Sequence, residues 1–464
     1  MEFRNLIDNY KEDIIKKTQE LIRIKSVEEA PLEGMPFGEG PYNALKYTVN
    51  LADELGFKTE EFDGYAAHAD LGEGDETVGM LVHLDVVPEG DGWTYNPYGG
   101  EIHDGKIYGR GTTDDKGPAI AALYAMKALK DSKTPMKRKV RIIFGTNEET
   151  GWGCMKHYFS KVEAPTMAFV PDADFPVINR EKGIIVFNLE YKLGETIKDV
   201  QLIDIKGGSA PNMVPDTAIA TFEVQNVEEF ISKFNSYKEE KTNLLNTEVD
   251  GNIVKIIAKG VSAHGSTPEK GENAISYLME CLAEILEAND SFAEFVKIYN
   301  ERIGFYHNGE KIGCGIEDEE SGKLNFNPGM IRLEDNSIYL TINVRYPITS
   351  SAKEVYNGIR ENLKGTELEL VEGDSDQKPL YVPEDNFLVK KLMDVYRSET
   401  GDNDSEPIAI GGGTYARAME NAVAFGPMFP GQKEVAHQKD EYISIDHLMK
   451  ITEIYTKALY ELTK

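Results

Sequence analysis

The sequence predicts an α/β protein whose mostly parallel sheet, with helices on both faces, is interrupted by an inserted α+β domain. Three observations carry this expectation. Short apolar runs separated by helical stretches fill the first 180 residues, strict apolar–polar alternation begins near residue 184, and the first style returns after about residue 380. Apolar strands joined by helices make a parallel sheet covered on both faces, whereas alternation marks a sheet covered on one face only. At 464 residues the chain also exceeds what one ordinary core accommodates. The expected division is a discontinuous domain over 1–180 and 380–464, with 181–379 inserted into it.

In chain order, a helix is expected over residues 3–24, followed by a Pro/Gly loop and a second helix, "YNALKYTVNLADELG". The runs "VGMLVHLDVV", "KVRIIFGT" and "TMAFVPD" read as strands. Between the first two lies "GPAIAALYAMKALKD", where Pro118 suits a first helical turn and Ile120, Leu123 and Leu129 fall on one side. In the insertion, "GIIVFNLEYKL", "TAIATFEVQ", "NIVKIIAKG" and "SIYLTINVRYP" alternate, with the amphipathic stretches "VEEFISKFNSY" and "AKEVYNGIRENL" as helices. The helix "NFLVKKLMDVYRSETG", the strand "AVAFGP" and a last helix ending in "YELTK" close the chain.

The formal net charge of −30, from 80 acids against 50 bases, would repel nucleic acid and anionic membranes, so neither is an expected partner. Three widely spaced cysteines suit free thiols in a reducing compartment, and no stretch resembles a signal peptide or a spanning helix. A cytoplasmic protein is expected.

Several acids and histidines sit where such a sheet ends. His83 and Asp85, two apart in "LVHLDVV", are expected to share a strand face, a neutral histidine being a good metal ligand and a carboxylate behind it fixing its tautomer. "GRGTTDDKGP" follows that strand and precedes a helix. Its glycines allow a tight turn, and the adjacent Asp114 and Asp115 are costly side by side unless a cation neutralises them. "GTNEETG" repeats the situation with Glu148 and Glu149, of which one can bind a metal while its neighbour serves as base. Asp172 directly follows the strand in "FVPDADFP", and His437 lies in the loop "KEVAHQKDEY". His83, Asp114, Glu149, Asp172 and His437 are thus expected to converge on the strand ends of one sheet. Nitrogen and oxygen ligands without thiolate suit zinc, manganese or cobalt, and five of them exceed one tetrahedral site. His68, His103, His157, His307 and His447 match no motif and are expected at the surface or in caps.

Together these motifs resemble the co-catalytic zinc metallopeptidase family that includes carnosinase, carboxypeptidase G and the acetylornithine and succinyl-diaminopimelate deacylases, most nearly its PepV-like dipeptidase branch. The resemblance spans the chain through "HLDVVPEGDGW", "YGRGTTDDKGP", "TNEETG", "PDADFP", "GGSAPNMVPD", "VSAHGSTP", "INVRYP", "GGGTYAR" and "AHQKDEY". It implies two divalent cations, zinc foremost, bridged by Asp114. His83 and Asp172 would complete one site, and Glu149 and His437 the other. It further implies that Asp85 orients His83, that Glu148 is the general base for water attacking an amide, and that a cis bond joins Asp114 to Asp115. From the inserted domain, a lid of doubled ferredoxin-like form, His264 would hydrogen-bond the scissile carbonyl oxygen, and Asn212 and Arg345 would hold substrate polar groups. Arg345 lies on the polar face of "IYLTINVRY", so exposure is expected. Gly412, Gly413 and Thr414 would offer backbone contacts. The implied activity is hydrolysis of unblocked dipeptides by a monomer. An N-acyl amino acid deacylase would share every ligand but carry half the insertion. A metal-holding protein without catalysis would leave Glu148 and His264 without purpose.

Overall fold

Strands buried on both faces need cover on both, and Thr77–His83 and Lys139–Gly145 are buried at every position but the first. In the computed structural model, which describes residues 3–194, 199–241, 244–287 and 290–464, these strands run parallel at the centre of a sheet. Met167–Val170 pairs parallel with Thr77–His83, and Ala422–Ala424 parallel with Met167–Val170. On the other side the sheet continues through Ala66–Leu71 to Lys58–Phe62, both antiparallel. Helices Lys116–Asp131 and Ile445–Thr463 pack on the central strands, and Glu39–Glu54 and Gly153–Lys161 on Ala66–Leu71. These elements belong to one compact unit, Met1–Asn179, Tyr381–Ile408 and Gly413–Lys464, and a second comprises Arg180–Leu380 and Ala409–Gly412.

The second unit is built on antiparallel pairing. Its strands run in the order Leu245–Asp250, Ile253–Lys259, Thr217–Val224, Val200–Gly207, Asn325–Glu334, Ser337–Tyr346, Gly183–Lys192 and Leu368–Val371. Gly183–Lys192 alternates buried and half-buried residues, and its buried face joins a core with Leu278, Phe295 and Ile359 from helices Ala274–Ile285, Ser291–Arg302 and Ala352–Asn362.

Four expectations change. The first helix is broken at Tyr10 into Arg4–Asn9 and Lys11–Ile22, with the Tyr10 hydroxyl donating to Asp131. Helix Lys116–Asp131 is buried nearly all round rather than along one stripe, because helices as well as strands surround it. Arg345 is not exposed. It retains only 5% of its accessible surface, and its Nε donates to Asn343 Oδ1 at 2.9 Å and its Nη1 to the Gly411 carbonyl at 3.0 Å. Alternation failed there because Ser337–Tyr346 is a central strand buried on both faces. His68 is interior, its Nδ1 2.8 Å from the Tyr158 hydroxyl, beside an Asp70 carboxylate that accepts two 2.7 Å bonds from Arg141. Among the described residues no helix is long and apolar enough to cross a membrane, and Cys154, Cys281 and Cys314 are free and buried.

His68 makes stability sensitive to acid. Burial, aided by Arg141, lowers its pKa from 6.5 to about 4, so between those values the unfolded chain binds a proton that the folded chain refuses. Stability should therefore fall as pH drops through that window, by about 1–2 kcal/mol from this residue. Urea unfolding of the protein and of His68→Gln at pH 7 and pH 4.5 checks this. An equal loss in both proteins would assign the acid sensitivity elsewhere.

Candidate metal centre

Parallel register puts the chemistry-bearing residues at one edge. His83 pairs with Gly145, so the strand bearing His83 and the strand leading to Glu148 and Glu149 end side by side. Asp172 follows the third parallel strand after Val170. Ligand sites in open α/β sheets lie beyond such carboxyl ends. Asp85 lies just past its strand rather than on it. Asp114 comes from the glycine turn, where Gly109 and Gly111 adopt φ of 156° and 88°, and the Asp114–Asp115 bond is cis. His437 arrives on a loop, itself at φ 61°.

Asp114 lies between the two histidines. One of its oxygens is 2.8 Å from His83 Nε2 and the other 2.9 Å from His437 Nε2. His437 Nε2 is also 3.1 Å from Glu149 Oε2, and His83 Nε2 is 3.6 Å from Asp172 Oδ2. Donor atoms of His83, Asp114 and Glu149 lie within 4.8 Å of one another, as do those of His83, Glu148 and Asp172. The structure thus gathers His83, Asp114, Glu148, Glu149, Asp172 and His437. Asp85 ties them together. Its carboxylate accepts the Glu148 N–H at 2.8 Å and the Glu149 N–H at 3.1 Å, while its backbone carbonyl is 3.0 Å from His83 Nδ1, nearer than its own carboxylate at 3.5 Å. Asp115 turns away and accepts the His83 N–H at 3.1 Å.

The electrostatics are those of an incomplete charge set. Burial raises the pKa of Asp172 to about 7, with Asp114 adding to the effect, and burial likewise pushes Glu148 and Glu149 up, assisted by Asp172 and Asp114 respectively. Burial opposes charge on the histidines as well. Asp172 and Asp114 outweigh it at His83, which stands well above its usual value, and Asp114 and Glu149 hold His437 at about 12. The two imidazoles in turn keep Asp114 well below the carboxylate range despite its burial. Glu149 Oε1 is buried without a hydrogen-bond partner. No thiolate competes, the nearby Cys154 thiol being 2.9 Å from the Tyr415 hydroxyl and raised by burial. Surplus buried carboxylate, an orphaned oxygen and an all-nitrogen-and-oxygen donor set fit a pair of divalent cations.

Sequence reasoning passed over the residues that hold this arrangement. Glu441, wholly buried, accepts Arg110 Nη1 at 2.7 Å and the N–H groups of Gly111, Thr113 and Asp114 at 3.1, 2.9 and 3.3 Å. Asp440 takes the Thr94 N–H and hydroxyl. Trp152 donates its indole N–H to Glu148 Oε1. The one available signal was Glu441's place four residues after His437. In the second unit, Asn212 and His264 are exposed neighbours, with the Asn212 carbonyl accepting the Gly265 N–H at 2.7 Å. His264 Nδ1 is 2.5 Å from Ser266 Oγ, and Ser266 packs on Gly411, whose carbonyl Arg345 holds. Gly412 closes this unit, whereas Gly413 and Thr414 begin the next stretch of the first, where Thr414 caps the turn at Ala416.

Removing one partner of a buried ion pair leaves the other charge uncompensated, at a cost of about 3–5 kcal/mol. Glu441→Gln should lower unfolding free energy by that order and weaken metal retention. Urea titration and metal analysis after dialysis measure both. A loss under about 1 kcal/mol with metal retained would mean that the loops stay together without this pair.

Comparison with known proteins shows the family. The family described as peptidase family M20/M25/M40 matches residues 79–461. The chain is 42% identical over 459 residues to "Putative dipeptidase YtjP" of Bacillus subtilis (strain 168), covering 98% of each, and 37% identical over 467 residues to "Putative dipeptidase SH1171" of Staphylococcus haemolyticus, covering 99% of each. The fold is similar to that of human carnosine dipeptidase 1, with a TM-score of 0.54 at 16% identity over 99% of this chain and 98% of that one. It is also similar to the dipeptidase Dug1p of Saccharomyces cerevisiae, with a TM-score of 0.57 at 14% identity over 99% and 97%. The chain therefore belongs to the M20/M25/M40 peptidase family and is a hydrolase.

Proposed function

We propose that this hydrolase is a dinuclear metal-dependent dipeptidase acting on unblocked dipeptides. The observation that carries the reading is Asp114, whose two oxygens face two different histidines in a cluster of buried acids. The relatives' description as dipeptidases supports the substrate class. His83 and Asp172 would hold one cation and Glu149 and His437 the other, with Asp114 between. Two divalent cations there, zinc foremost, would acidify a water and polarise a carbonyl.

The chain's own residues supply the rest. Glu148 would take the proton of the attacking water and return it to the leaving amine nitrogen, a carboxylate beside the cluster being placed to accept a proton and give it back. Asp85 keeps the Glu148–Glu149 turn in place by accepting both N–H groups. His264 would donate to the carbonyl oxygen as charge develops there. Arg345, its guanidinium oriented by Asn343 and Gly411, would hold the free carboxylate together with Asn212. The backbone of Gly412, Gly413 and Thr414 would contact the substrate.

Adjacent acids with different tasks should separate on substitution. Glu148→Gln is expected to lower turnover by several orders of magnitude with metal content intact, and Glu149→Gln to lower metal occupancy. Chelation should silence the enzyme, and readdition of zinc or manganese restore it. A Glu148→Gln enzyme that keeps most of its turnover sinks the assignment.

The arginine also sets a length rule. A dipeptide has one residue beyond its scissile bond, so its carboxylate can meet Arg345 as its carbonyl is attacked, whereas a longer peptide overshoots and an amide lacks the charge. A lost charge-assisted bond costs about 1.5–3 kcal/mol, roughly a 10- to 150-fold loss in kcat/KM. Unblocked dipeptides should be cleaved faster than matching tripeptides, dipeptide amides and N-acyl amino acids, and Arg345→Ala should erase much of the preference. Comparable rates across the panel would favour a broader amidohydrolase.

A further inference from the structure

Trp152 is one of only two tryptophans in the chain, and nothing in the metal cluster requires it. Its indole Nε1–H donates to Glu148 Oε1 at 2.9 Å. Its backbone is left-handed, at φ 60° and ψ 22°, a conformation that a bulky aromatic adopts only where its surroundings enforce it. Those surroundings are specific. The Trp152 N–H donates to the Asn147 carbonyl at 2.8 Å, and the next residue's N–H donates to Asn147 Oδ1 at 2.8 Å. The Asn147 amide in turn donates to Glu28 Oε2 at 3.1 Å. The indole ring lies edge-on to Tyr415 with centroids 6.2 Å apart, and Tyr415 stands equally far and edge-on to His83. A turn so fully bonded can hold the indole nitrogen in a fixed position.

We propose that Trp152 is the positioning residue for the proton-transferring carboxylate. By bonding Oε1 it fixes the Glu148 side chain and leaves Oε2 as the oxygen that takes and returns the proton. The inference rests on the reading of Glu148 as the base. A glutamate has free rotation about its terminal bonds, and a base must lie within hydrogen-bond reach of its proton to be effective. The turn supplies both needs, because Asn147 and Trp152 close it, Glu148 lies within it, and Asp85 grips the Glu148 N–H. Trp152 therefore serves turnover rather than substrate or metal binding.

The contact and its consequence are measurable separately. With 15N-tryptophan the protein gives two indole N–H signals, of which Trp152→Phe identifies one. Glu148→Gln should shift that signal and leave the Trp93 signal in place, whether or not metal is bound. Trp152→Phe should lower kcat about tenfold or more, with KM, metal stoichiometry and Tm little changed. Should that variant misfold, benzothienylalanine in a Trp93→Phe background replaces the indole N–H by sulfur without changing ring shape, and the same loss is expected relative to that background. An indole signal indifferent to Glu148→Gln, or an unchanged kcat without the N–H, overturns the proposal. A shifted signal in a fully active Glu148→Gln enzyme overturns instead the reading of Glu148 as the base, and with it the role given to Trp152.

Discussion

The Glu441 carboxylate is the constraint on which the site depends. It is wholly buried, burial and the nearby Asp114 raise its pKa, and Arg110 with backbone N–H groups opposes that rise in part. Those N–H groups belong to Gly111, Thr113 and Asp114, so one side chain gathers the glycine turn and fixes it to the end of the His437 loop. Arg110 also donates to the Gln438 carbonyl, within that same loop. A carboxylate so placed exchanges water for a full set of donors, which is what makes a buried charge tolerable. The 2.9 Å approach of His437 to Asp114 follows from this joint between residues 327 positions apart.

The remaining groups need no such device, because the sheet delivers them. Parallel strands in register end together, so His83, the Glu148–Glu149 turn and Asp172 are neighbours by topology alone. Asp85 then removes the play left between the first two, accepting from both glutamate N–H groups while its own carbonyl meets His83. Scaffold and local bonds thus divide the work. The fold sets which residues meet, and Asp85 and Glu441 set how closely.

That division explains what the sequence disclosed. The α/β character and the strand-end acids follow from local pattern, apolar runs closed by His83, by Glu148 and Glu149, and by Asp172. The Arg110–Glu441 pair does not, since a buried pair separated by 331 positions leaves no trace in either neighbourhood. Arg345 misled for a related reason. Alternation reports which face a strand shows to its own core, and it is silent about a second face on which Arg345 bonds its strand neighbour Asn343 and the distant Gly411 carbonyl. His68 likewise matches no motif, and its interior place depends on Tyr158, 90 positions away, whose hydroxyl meets its ring. The break at Tyr10 was hidden because both helix segments keep one amphipathic phase. Each miss is a contact made at long range by a side chain whose own sequence surroundings are ordinary.

The two pairs of adjacent acids can now be compared. In each, neighbouring side chains diverge, and the pair places one carboxylate in the cluster and uses the other differently. Asp114 faces both histidines while Asp115 points back to the His83 N–H. Glu149 meets His437 while Glu148 is taken by the Trp152 indole. Two acids in sequence therefore do not add two equal charges at one point, which would only deepen mutual repulsion. The first pair joins a charge to a brace for the strand carrying His83. The second joins a charge to a carboxylate that stays near the cluster yet is held by a neutral donor. The proposed site, which would hold cations and still keep one basic oxygen available, would need this asymmetry, and adjacency in sequence is the shortest way to obtain it.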